Sequence, residues 1–318
     1  MRLGQGAPAA RILAFGGYQP ARVVTNDDLA ARIDTSDEWI QSRVGIRERR
    51  IAGPEESEID LAVQAGGKAL AASGLSSDDI DLVIVATCTP EAPIPNTAGR
   101  VAHRLGITAP GAYDLNAACA GFCYALAAAS DAVRTGSATN VLVVGSEKLS
   151  QWVDGDDRST AVIFADGAGA AVVGPSDRPG IGPVAWGSAG DKADAIMIKD
   201  RSSFLHQEGQ AVFRWATTSL HPVARLACER AGVDPADLAA FVPHQANLRI
   251  VEAIARKIGA DKAVVAKDIV LAGNTSAASI PLALSRMIER GEVASGGLAL
   301  LLGFGAGLTY ASQVIEIP

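Results

Sequence analysis

Residues 74–86 read GLSSDDIDLVIVA, and residues 232–244 read GVDPADLAAFVPH. Both stretches run from a glycine through a short acidic loop into an apolar segment, and they lie 158 residues apart (232 − 74). Residues 74–147 align with residues 232–305 without a gap, which indicates that the chain contains two copies of one unit. The same offset relates three further pairs: Asn116 with Asn274, CYAL at 123–126 with PLAL at 281–284, and VLVVGSE at 141–147 with ALLLGFG at 299–305.

Each copy has the pattern of an α/β unit. Apolar residues recur at helical spacing in LAVQAGGKALAASG (61–74) and RIVEAIARKIG (249–259), so we predict helices there. LVIVA (82–86) and VLVVG (141–145) are continuous apolar runs, typical of strands buried on both faces of a mostly parallel sheet. AVIFADGAGAAVVG (161–174) predicts two strands around a tight turn, added antiparallel to the first half.

The repeat divides the chain into an N-terminal half, 1–180, and a C-terminal half, 181–318. No linker rich in proline, serine or charge separates the halves, so we expect them to pack as one body. The segment SAGDKADAIMIKDRSSFLHQEGQ (188–210) is polar, and we predict an irregular surface loop there.

Composition excludes several classes of function. The chain has 318 residues, 48% hydrophobic and 20% charged, which is enough for a large core. A net charge of −7 argues against a general nucleic-acid binder. The longest apolar stretch (296–311) is interrupted by glycines and falls short of the roughly 20 residues of a membrane-spanning helix. The N-terminus lacks the apolar core of a secretory signal, so we expect a cytoplasmic protein that does not bind membranes.

Four cysteines, at positions 88, 119, 123 and 228, are too few and too scattered for a disulfide scaffold. Cys119 and Cys123 would lie one helical turn apart, a poor geometry for a bridge. The four histidines form no cluster with other ligand types, so we predict no metal site.

Cys119 stands where the strand-like AYDL gives way to helical spacing. Helix N-termini carry partial positive charge and unpaired N–H groups, and both lower the pKa of a cysteine from its usual value near 8.5. A free cysteine among small residues is also a common buried apolar side chain. These residues alone leave both interpretations open.

Two polar residues in the second copy favour the nucleophile. His244 ends the strand equivalent to LVIVA, at a helix entrance, where open α/β folds bind ligands. Asn274 is the counterpart of Asn116, three residues before the position equivalent to Cys119, although it could simply cap a helix. Pseudo-twofold pairing would bring the two helix starts together, so we expect Cys119, His244 and Asn274 to converge in a nucleophilic site.

Six motifs follow one another along the chain: DTSDEWIQSRVGIRERR (34–50), AACAGF (117–122), DGAGAAVV (166–173), VPHQANLRI (242–250), GNTSAASIPLAL (273–284) and GFGAGLTYA (303–311). In this order they resemble 3-oxoacyl-[acyl-carrier-protein] synthase III, the condensing enzymes that initiate fatty-acid synthesis. The resemblance covers the chain from about residue 10 to its end. It implies the α/β thiolase-like fold, two five-stranded mixed sheets related by a pseudo-twofold axis and layered α-β-α-β-α with helices, in a homodimer.

The resemblance also implies roles for single residues. Cys119 would take the acyl group from acyl-CoA as a thioester, since a thiolate is a strong nucleophile. His244 and Asn274 would bind the malonyl thioester of malonyl-acyl carrier protein and drive the loss of CO2. The backbone amides of Cys119 and Ala306 would form the oxyanion hole. None of these steps requires a metal or an organic cofactor.

Coenzyme A recognition is implied for three residues. The family stacks the adenine between a tryptophan and an arginine, here Trp39 and Arg158, with Arg43 one helical turn from Trp39. The glycine-rich segments ADGAGA (165–170) and GFGAG (303–307) do not match the full G-x-G-x-x-G of a dinucleotide site.

Two further assignments concern the carrier protein and the acyl chain. Arg249, Arg256 and Lys257 would share one helix face, suited to an acidic carrier protein. In the family a residue near APIPNT (92–97), supplied by the partner subunit, shapes the acyl channel, and Ile94 holds that place here. Because Ile94 is smaller than phenylalanine, we expect branched or medium acyl chains to be accepted at least as well as acetyl.

The stretch between Gly190 and Gly209 is shorter than the family leads one to expect, in the loop that covers the acyl pocket. Two alternatives to fatty-acid initiation remain at this point. One is a related enzyme that primes polyketide synthesis or passes the acyl group to another acceptor. The other is a non-catalytic homologue that only binds acyl-CoA or carrier protein, which the intact Cys119, His244 and Asn274 disfavour.

Overall fold

The computed structural model describes residues 4–318. Its strands are β1 (Ala9–Tyr18), β2 (Val23–Thr25), β3 (Glu48–Arg50), β4 (Leu82–Ala86), β5 (Gly111–Leu115), β6 (Val141–Lys148), β7 (Asp166–Ser176), β8 (Ala185–Ser188), β9 (Ile196–Met197), β10 (His206–Gln207), β11 (Ala240–Pro243), β12 (Val264–Val265), β13 (Leu298–Gly305) and β14 (Thr309–Glu316). Its α-helices are α1 (Asn26–Ala30), α2 (Asp37–Val44), α3 (Glu58–Ser73), α4 (Thr97–Arg104), α5 (Gly121–Thr135), α6 (Gly209–Ala231), α7 (Leu248–Ile258), α8 (Ile269–Ala272) and α9 (Ser279–Glu289).

Two five-stranded sheets have matching strand orders. The first runs β1-β7-β6-β4-β5 and the second β8-β14-β13-β11-β12. In each sheet the three strands at one end are parallel, and the other two pair antiparallel. Both sheets are therefore mixed, and the predicted α/β thiolase-like architecture is confirmed.

The backbone repeats at the offset read from the sequence. Single 3-10 turns at Ala118–Ala120 and Ser276–Ala278 lead directly into α5 and α9. Gly74 and Gly232, which end α3 and α6, adopt left-handed φ values of 74° and 67°. Only glycine takes this conformation without strain, which explains why both copies carry it.

One core joins the halves. Phe122 and Leu126 of α5 and Ile280 and Leu284 of α9 are at most 1% exposed and lie in a single apolar cluster between the sheets. Burying each such side chain contributes about 1.5–3 kcal/mol. The boundary predicted at 180/181 falls between β7 and β8 and remains a prediction. Because the two halves share this core, they form one body that is built from two repeats.

The prediction of two strands in segment 161–174 is wrong. The structure has one long strand there, β7, preceded by a turn. The Asp166 carboxylate fixes the start of β7 by accepting from the backbone N–H and the hydroxyl of Ser150. A Cβ on Gly169 would lie 2.4 Å from the backbone nitrogen of Leu282 in α9. The glycines therefore permit close approach of a helix to the strand and do not form a hairpin turn.

The segment 188–210 is also more ordered than the predicted loop. After the end of β8 it forms a 3-10 helix at Gly190–Ala195, and β9 and β10 then pair antiparallel. Ile196, Ile198 and Leu205 line a cavity. Their apolar side chains give this short hairpin a buried side, which the polar composition of the segment concealed.

Candidate active site

A cavity of about 880 Å³ opens where the two halves meet. Cys119, His244 and Asn274 all line it, as the sequence led us to expect. Its wall also contains residues from the 188–210 segment and from α6. The apolar part is lined by Cys88, Leu149, Ile163, Phe164, Ile198 and Leu205.

Cys119 sits in the 3-10 turn between β5 and α5. Ala118 shapes this turn. Its φ is 45°, in the left-handed region, and its backbone N–H donates to Asn116 Oδ1 at 3.1 Å. On the other side the chain of β13 comes very close. A Cβ on Gly305 would lie 2.6 Å from Cys119 Cβ and 2.9 Å from its Sγ. Glycine is thus required at 305 for the thiol to occupy this position.

The electrostatics of Cys119 differ from the sequence-based expectation. Burial raises the pKa of the thiol to about 12, and the nearby Glu147 carboxylate also acts to raise it. The Ser276 hydroxyl and the backbone amides of Cys119 and Ala306 oppose this and lower the pKa. The N–H groups therefore lower the pKa of Cys119 as expected, but desolvation raises it by more.

His244 is 2% exposed and follows β11 directly. Its Nδ1 lies 2.7 Å from the hydroxyl of Ser279, and that hydroxyl also accepts from the Gln245 N–H at 3.3 Å. Donation from the Ser279 hydroxyl to Nδ1 would place the imidazole proton on Nε2. Burial lowers the pKa of His244 to about 3, so the ring is neutral at ordinary pH. In that tautomer Nε2 is an N–H donor.

Asn274 is fixed by its backbone and by its side-chain oxygen. Its N–H donates to Ile163 O, and its carbonyl accepts from the Ala165 N–H, both at 2.9 Å. Its Oδ1 accepts from the Ser276 N–H at 2.9 Å. The amide nitrogen Nδ2 makes no hydrogen bond within residues 4–318 and belongs to a side chain that lines the cavity. Asn274 therefore offers a second donor beside His244.

The two amides predicted as the oxyanion hole lie together. The backbone N–H groups of Cys119 and Ala306 both face the Cys119 sulfur closely enough to lower its pKa. Thr309 ties the two loops, because its hydroxyl donates to Ala117 O at 3.2 Å and to Ala306 O at 3.0 Å. Two converging N–H groups can stabilise negative charge on an oxygen beside the sulfur.

The residues predicted to bind coenzyme A are neighbours at one end of the site. The Arg158 guanidinium lies 4.8 Å from the Trp39 ring centroid, and that of Arg43 lies 5.9 Å away. Arg158 also donates to the carbonyl of Asp34 at 2.9 Å. Stacked groups need roughly 4.5–7 Å between centroids, so no ring fits between Trp39 and Arg158 in this conformation.

The predicted carrier-protein residues lie on α7 and are exposed. Arg249 lines the cavity and stacks over the Phe213 ring at 5.2 Å. Lys257 donates to the carbonyl of Thr217 in α6 at 2.7 Å. Arg256 lies between them along the helix. Docking of a carrier protein here remains a prediction.

Ile94 is placed apart from the cavity. It is 86% exposed and does not line the cavity within residues 4–318 of one chain. A single chain therefore does not bring Ile94 to the acyl pocket. The prediction requires a partner subunit to supply this side chain.

Sequence reasoning missed four residues of the site: Ser279, Ser276, Glu147 and Cys88. Ser276 and Glu147 were detectable from the repeat, since each is polar where its counterpart 158 residues away, Ala118 or Gly305, is small. Where one copy has a polar residue and the other has a small one, the polar residue is a candidate for a functional role.

Two features are absent from the described part of the chain. Within residues 4–318 no three His, Cys, Asp or Glu side chains are grouped so as to hold a metal ion. In the same residues no helix is both long and apolar enough to cross a membrane.

The comparisons with known proteins point to the same family that the sequence motifs resemble. Two family descriptions match: "3-Oxoacyl-[acyl-carrier-protein (ACP)] synthase III" over residues 113–190 and its C-terminal counterpart over residues 228–317. The beta-ketoacyl-[acyl-carrier-protein] synthase III 4 of Streptomyces coelicolor is 60% identical over 312 residues, 97% of this chain and 99% of that protein. The chain belongs to the synthase III family. Like the other members, it is a condensing acyltransferase.

Solved structures of relatives superpose over nearly the whole chain. The priming beta-ketosynthase of the R1128 polyketide pathway has 44% identity and a TM-score of 0.96, covering 100% of this chain and 98% of that one. The Pseudomonas aeruginosa 3-oxoacyl-(acyl carrier protein) synthase III has 42% identity and a TM-score of 0.92, covering 98% of each chain. The synthase III fold therefore extends through both halves, including the short 188–210 segment.

Proposed function

We propose that this synthase III condenses an acyl group, taken from acyl-CoA onto Cys119, with malonyl-acyl carrier protein to give 3-oxoacyl-acyl carrier protein and CO2, the initiating step of fatty-acid synthesis. The observation that carries this assignment is the convergence of a thiol with two pairs of N–H donors in one cavity. Such a site serves acyl transfer and enolate formation in turn.

In the first half-reaction the Cys119 sulfur attacks the thioester carbonyl of acyl-CoA. The negative charge that develops on the carbonyl oxygen is stabilised by the N–H groups of Cys119 and Ala306, which already face the sulfur. The bond to the CoA sulfur then breaks, CoA leaves as a thiol with the proton that Cys119 gave up, and the acyl group remains on Cys119. Trp39, Arg43 and Arg158 are proposed to hold the nucleotide end of acyl-CoA.

In the second half-reaction the malonyl thioester loses CO2, and its electrons move onto the thioester oxygen. Nε2–H of His244 and Nδ2–H of Asn274 are proposed to stabilise this enolate as hydrogen-bond donors. The neutral state of His244 suits this role, because the ring keeps the same charge over the ordinary pH range. The enolate carbon then attacks the acyl group and releases Cys119.

The partners follow from these roles. The charge that forms in each step is stabilised by N–H groups of the chain, so we propose a reaction that needs no metal or organic cofactor. The exposed cations of α7, Arg249, Arg256 and Lys257, are proposed to receive the acidic carrier protein. We also propose a cytoplasmic homodimer in which Ile94 reaches the partner's acyl pocket.

The test of the proposal is covalent labelling followed by turnover. Incubation with acyl-CoA is expected to add one acyl group per chain by intact mass, in the wild type but not in Cys119→Ala. Addition of malonyl-acyl carrier protein is then expected to release CO2 and a 3-oxoacyl product. An adduct that persists in Cys119→Ala, or no adduct with any acyl-CoA, contradicts the assignment.

A second candidate is priming of polyketide synthesis, favoured by the likeness to the R1128 priming ketosynthase. Both candidates share Cys119, so the acyl-CoA preference separates them better than the chemistry does. A panel from acetyl-CoA through isobutyryl-CoA to decanoyl-CoA should be ranked by kcat/KM. Each accommodated methylene adds about 0.8 kcal/mol, close to fourfold in binding, so the apolar lining predicts a preference beyond acetyl.

A further inference from the structure

The chemistry above leaves one buried acid unused. Glu147, near the end of β6, is 0% exposed. Its carboxylate accepts from the hydroxyls of Thr87 at 3.1 Å, Thr89 at 2.6 Å and Ser276 at 3.1 Å. It also accepts from the backbone N–H of Cys88 at 3.1 Å and from the Cys88 thiol at 3.3 Å. A buried carboxylate needs such donors, and here they come from two separate segments of the chain.

Ser276 joins this carboxylate to Asn274. Its hydroxyl donates to Glu147 Oε1, and its backbone N–H donates to Asn274 Oδ1 at 2.9 Å. An asparagine amide has an acceptor end and a donor end, so the group that binds Oδ1 decides where Nδ2 points. Within residues 4–318 the Ser276 N–H is the one donor to Oδ1. The N–H donor that Asn274 offers to the cavity therefore depends on where Ser276 is held.

The backbone at Ser276 is one that needs support. Its φ is 50°, in the left-handed region, where non-glycine residues are uncommon and are held at a cost. The main chain of Asn274 is fixed by its bonds to Ile163 and Ala165, but these contacts lie before the turn. The bond from the Ser276 hydroxyl acts on the turn itself, and the Glu147 carboxylate that accepts it is fixed in turn by its other donors.

The equivalent loop of the first copy lacks this anchor. Ala118 has a similar φ, 45°, and its N–H donates to Asn116 Oδ1 at 3.1 Å, but its side chain is a methyl group. The residue of β13 that is equivalent to Glu147 is Gly305. The turn therefore forms without an anchor. The anchor belongs to the loop whose asparagine, Asn274, is proposed as an enolate donor.

We propose that Glu147 is a positioning residue for the decarboxylation step: through Ser276 it holds the amide of Asn274 with Nδ2 toward the cavity. This inference rests on the proposed function, in which Asn274 stabilises the malonyl enolate. Glu147 does not line the cavity within residues 4–318, so it reaches the enolate through the other two residues. Without the anchor the amide turns part of the time and presents Oδ1, an acceptor, to a negatively charged oxygen.

This role requires the hydrogen bond of Glu147 and not its charge. In Glu147→Gln the carbonyl can replace Oε2, which accepts from Thr87 and Thr89, while the NH2 group replaces Oε1 and donates to the Ser276 hydroxyl. The anchor is then kept with its direction reversed. In Ser276→Ala the anchor is removed, and Ala118 shows that alanine accepts this backbone conformation. The two variants separate position from charge.

The test is the release of CO2 in a single turnover by enzyme that is already acylated on Cys119. Starting from the acyl-enzyme excludes any effect of Ser276 on the free thiol. Ser276→Ala is expected to release CO2 about tenfold more slowly than the wild type, and Glu147→Gln to stay within about threefold of it. In an Asn274→Ala background, Ser276→Ala should change the rate by less than about twofold, because no amide is left to position.

Ser312→Ala is the matched control. It removes a buried serine hydroxyl that donates to Leu301 O at 2.7 Å, and it should release CO2 at the wild-type rate. An equal loss from Ser276→Ala with and without Asn274 overturns the proposal, as does a Glu147→Gln protein as slow as Ser276→Ala. Glu147→Leu removes the anchor from the other side and should match Ser276→Ala. If Glu147→Leu does not fold, the comparison between Ser276→Ala with and without Asn274 decides the question.

Hydrogen–deuterium exchange keeps this inference separable from the proposed function, because it needs no substrate. Peptides that cover residues 274–279 are expected to exchange about tenfold faster in Ser276→Ala than in the wild type, with residues 116–121 unchanged. That result together with no acyl adduct in the wild type would remove the acyl-transfer assignment and leave the anchor standing. Unchanged exchange at residues 274–279 overturns the anchor, even where the acyl adduct and CO2 release are normal.

Discussion

Two loops of the molecule have the same backbone and different chemistry. Residues 116–121 enter α5, and residues 274–279 enter α9, in both cases through an asparagine, a left-handed residue and a 3-10 turn. The φ values of Ala118 and Ser276 are 45° and 50°, and both N–H groups donate to the asparagine two residues earlier. The repeat thus builds the same turn twice.

What differs is the side chain at equivalent places. Position 119 is cysteine in the first loop and alanine, Ala277, in the second. Position 276 is serine where the first loop has Ala118. Facing these loops, β6 presents Glu147, and β13 presents Gly305. The first loop carries the thiol of Cys119, and the second loop carries the polar side chains of Asn274 and Ser276. The pseudo-twofold axis then brings both into one cavity.

Exchanging the cysteine between the loops is the strongest test of this division. Cys119→Ala is expected to abolish the acyl adduct and to lower turnover by at least about 10³-fold. Adding Ala277→Cys should restore nothing, because Ala277 is 1% exposed and does not line the cavity within residues 4–318. Intact mass after incubation with acyl-CoA measures both. An acyl adduct at position 277 of the double variant would show that the loops are interchangeable.

The paired asparagines sharpen the comparison. Asn274→Ala is expected to lower CO2 release from the malonyl thioester by about 10²–10³-fold, because it removes an enolate donor, while acylation of Cys119 continues. Asn116→Ala removes only the equivalent bond within the turn and should cost less than about tenfold. Decarboxylation and acylation are assayed separately with radiolabelled malonyl and acyl groups. Equal losses in both variants would mean that Asn274 only shapes its loop.

Gly305 tests the close approach to the first loop. Gly305→Ala would place a methyl group 2.6 Å from Cys119 Cβ, so the nucleophile must shift. A displacement of this kind typically costs about 10²-fold in rate, and we expect that loss in the acylation rate. Gly190→Ala, where a Cβ meets nothing within 4 Å, is the matched control. Normal acylation in Gly305→Ala would show that the contact is not tight.

The buried histidine predicts the smallest effect, on stability. The pKa of His244 is about 3 in the folded chain, against an ordinary value of 6.5. Between these values the unfolded chain binds the extra proton, so the free energy of unfolding decreases as the pH falls. From pH 7 to pH 5 the wild type should lose about 2 kcal/mol relative to His244→Gln.

Urea unfolding at the two pH values measures this difference. His103→Gln, which alters an exposed histidine, is the control and should follow the wild type. If the wild type and His244→Gln change in parallel with pH, His244 is not held neutral by burial.

Much of the fold could be predicted because the repeat is visible in the sequence. The offset of 158 residues, read from Gly74 and Gly232, identified two copies, and the motifs identified the fold. The positions of Cys119, His244 and Asn274 in one cavity follow from the same symmetry. These features depend on local patterns that each copy carries in full.

What could not be predicted depends on contacts between distant segments. The pKa of Cys119 is set by how completely the other half buries it, which no local pattern encodes. The single strand β7 replaces a predicted hairpin, since Gly169 is small to admit α9 and not to form a turn. Ser279 fixes the imidazole of His244 across 35 residues of chain.

The contact between Arg158 and Trp39 would make the proposed binding of coenzyme A an exchange of one stacking partner for another. In the free chain the Arg158 guanidinium already lies over the Trp39 ring, 4.8 Å from its centroid. An adenine that stacks on Trp39 would have to displace this guanidinium, so its net gain would be the difference between two stacking interactions. Removing the arginine therefore takes away a competitor as well as a partner.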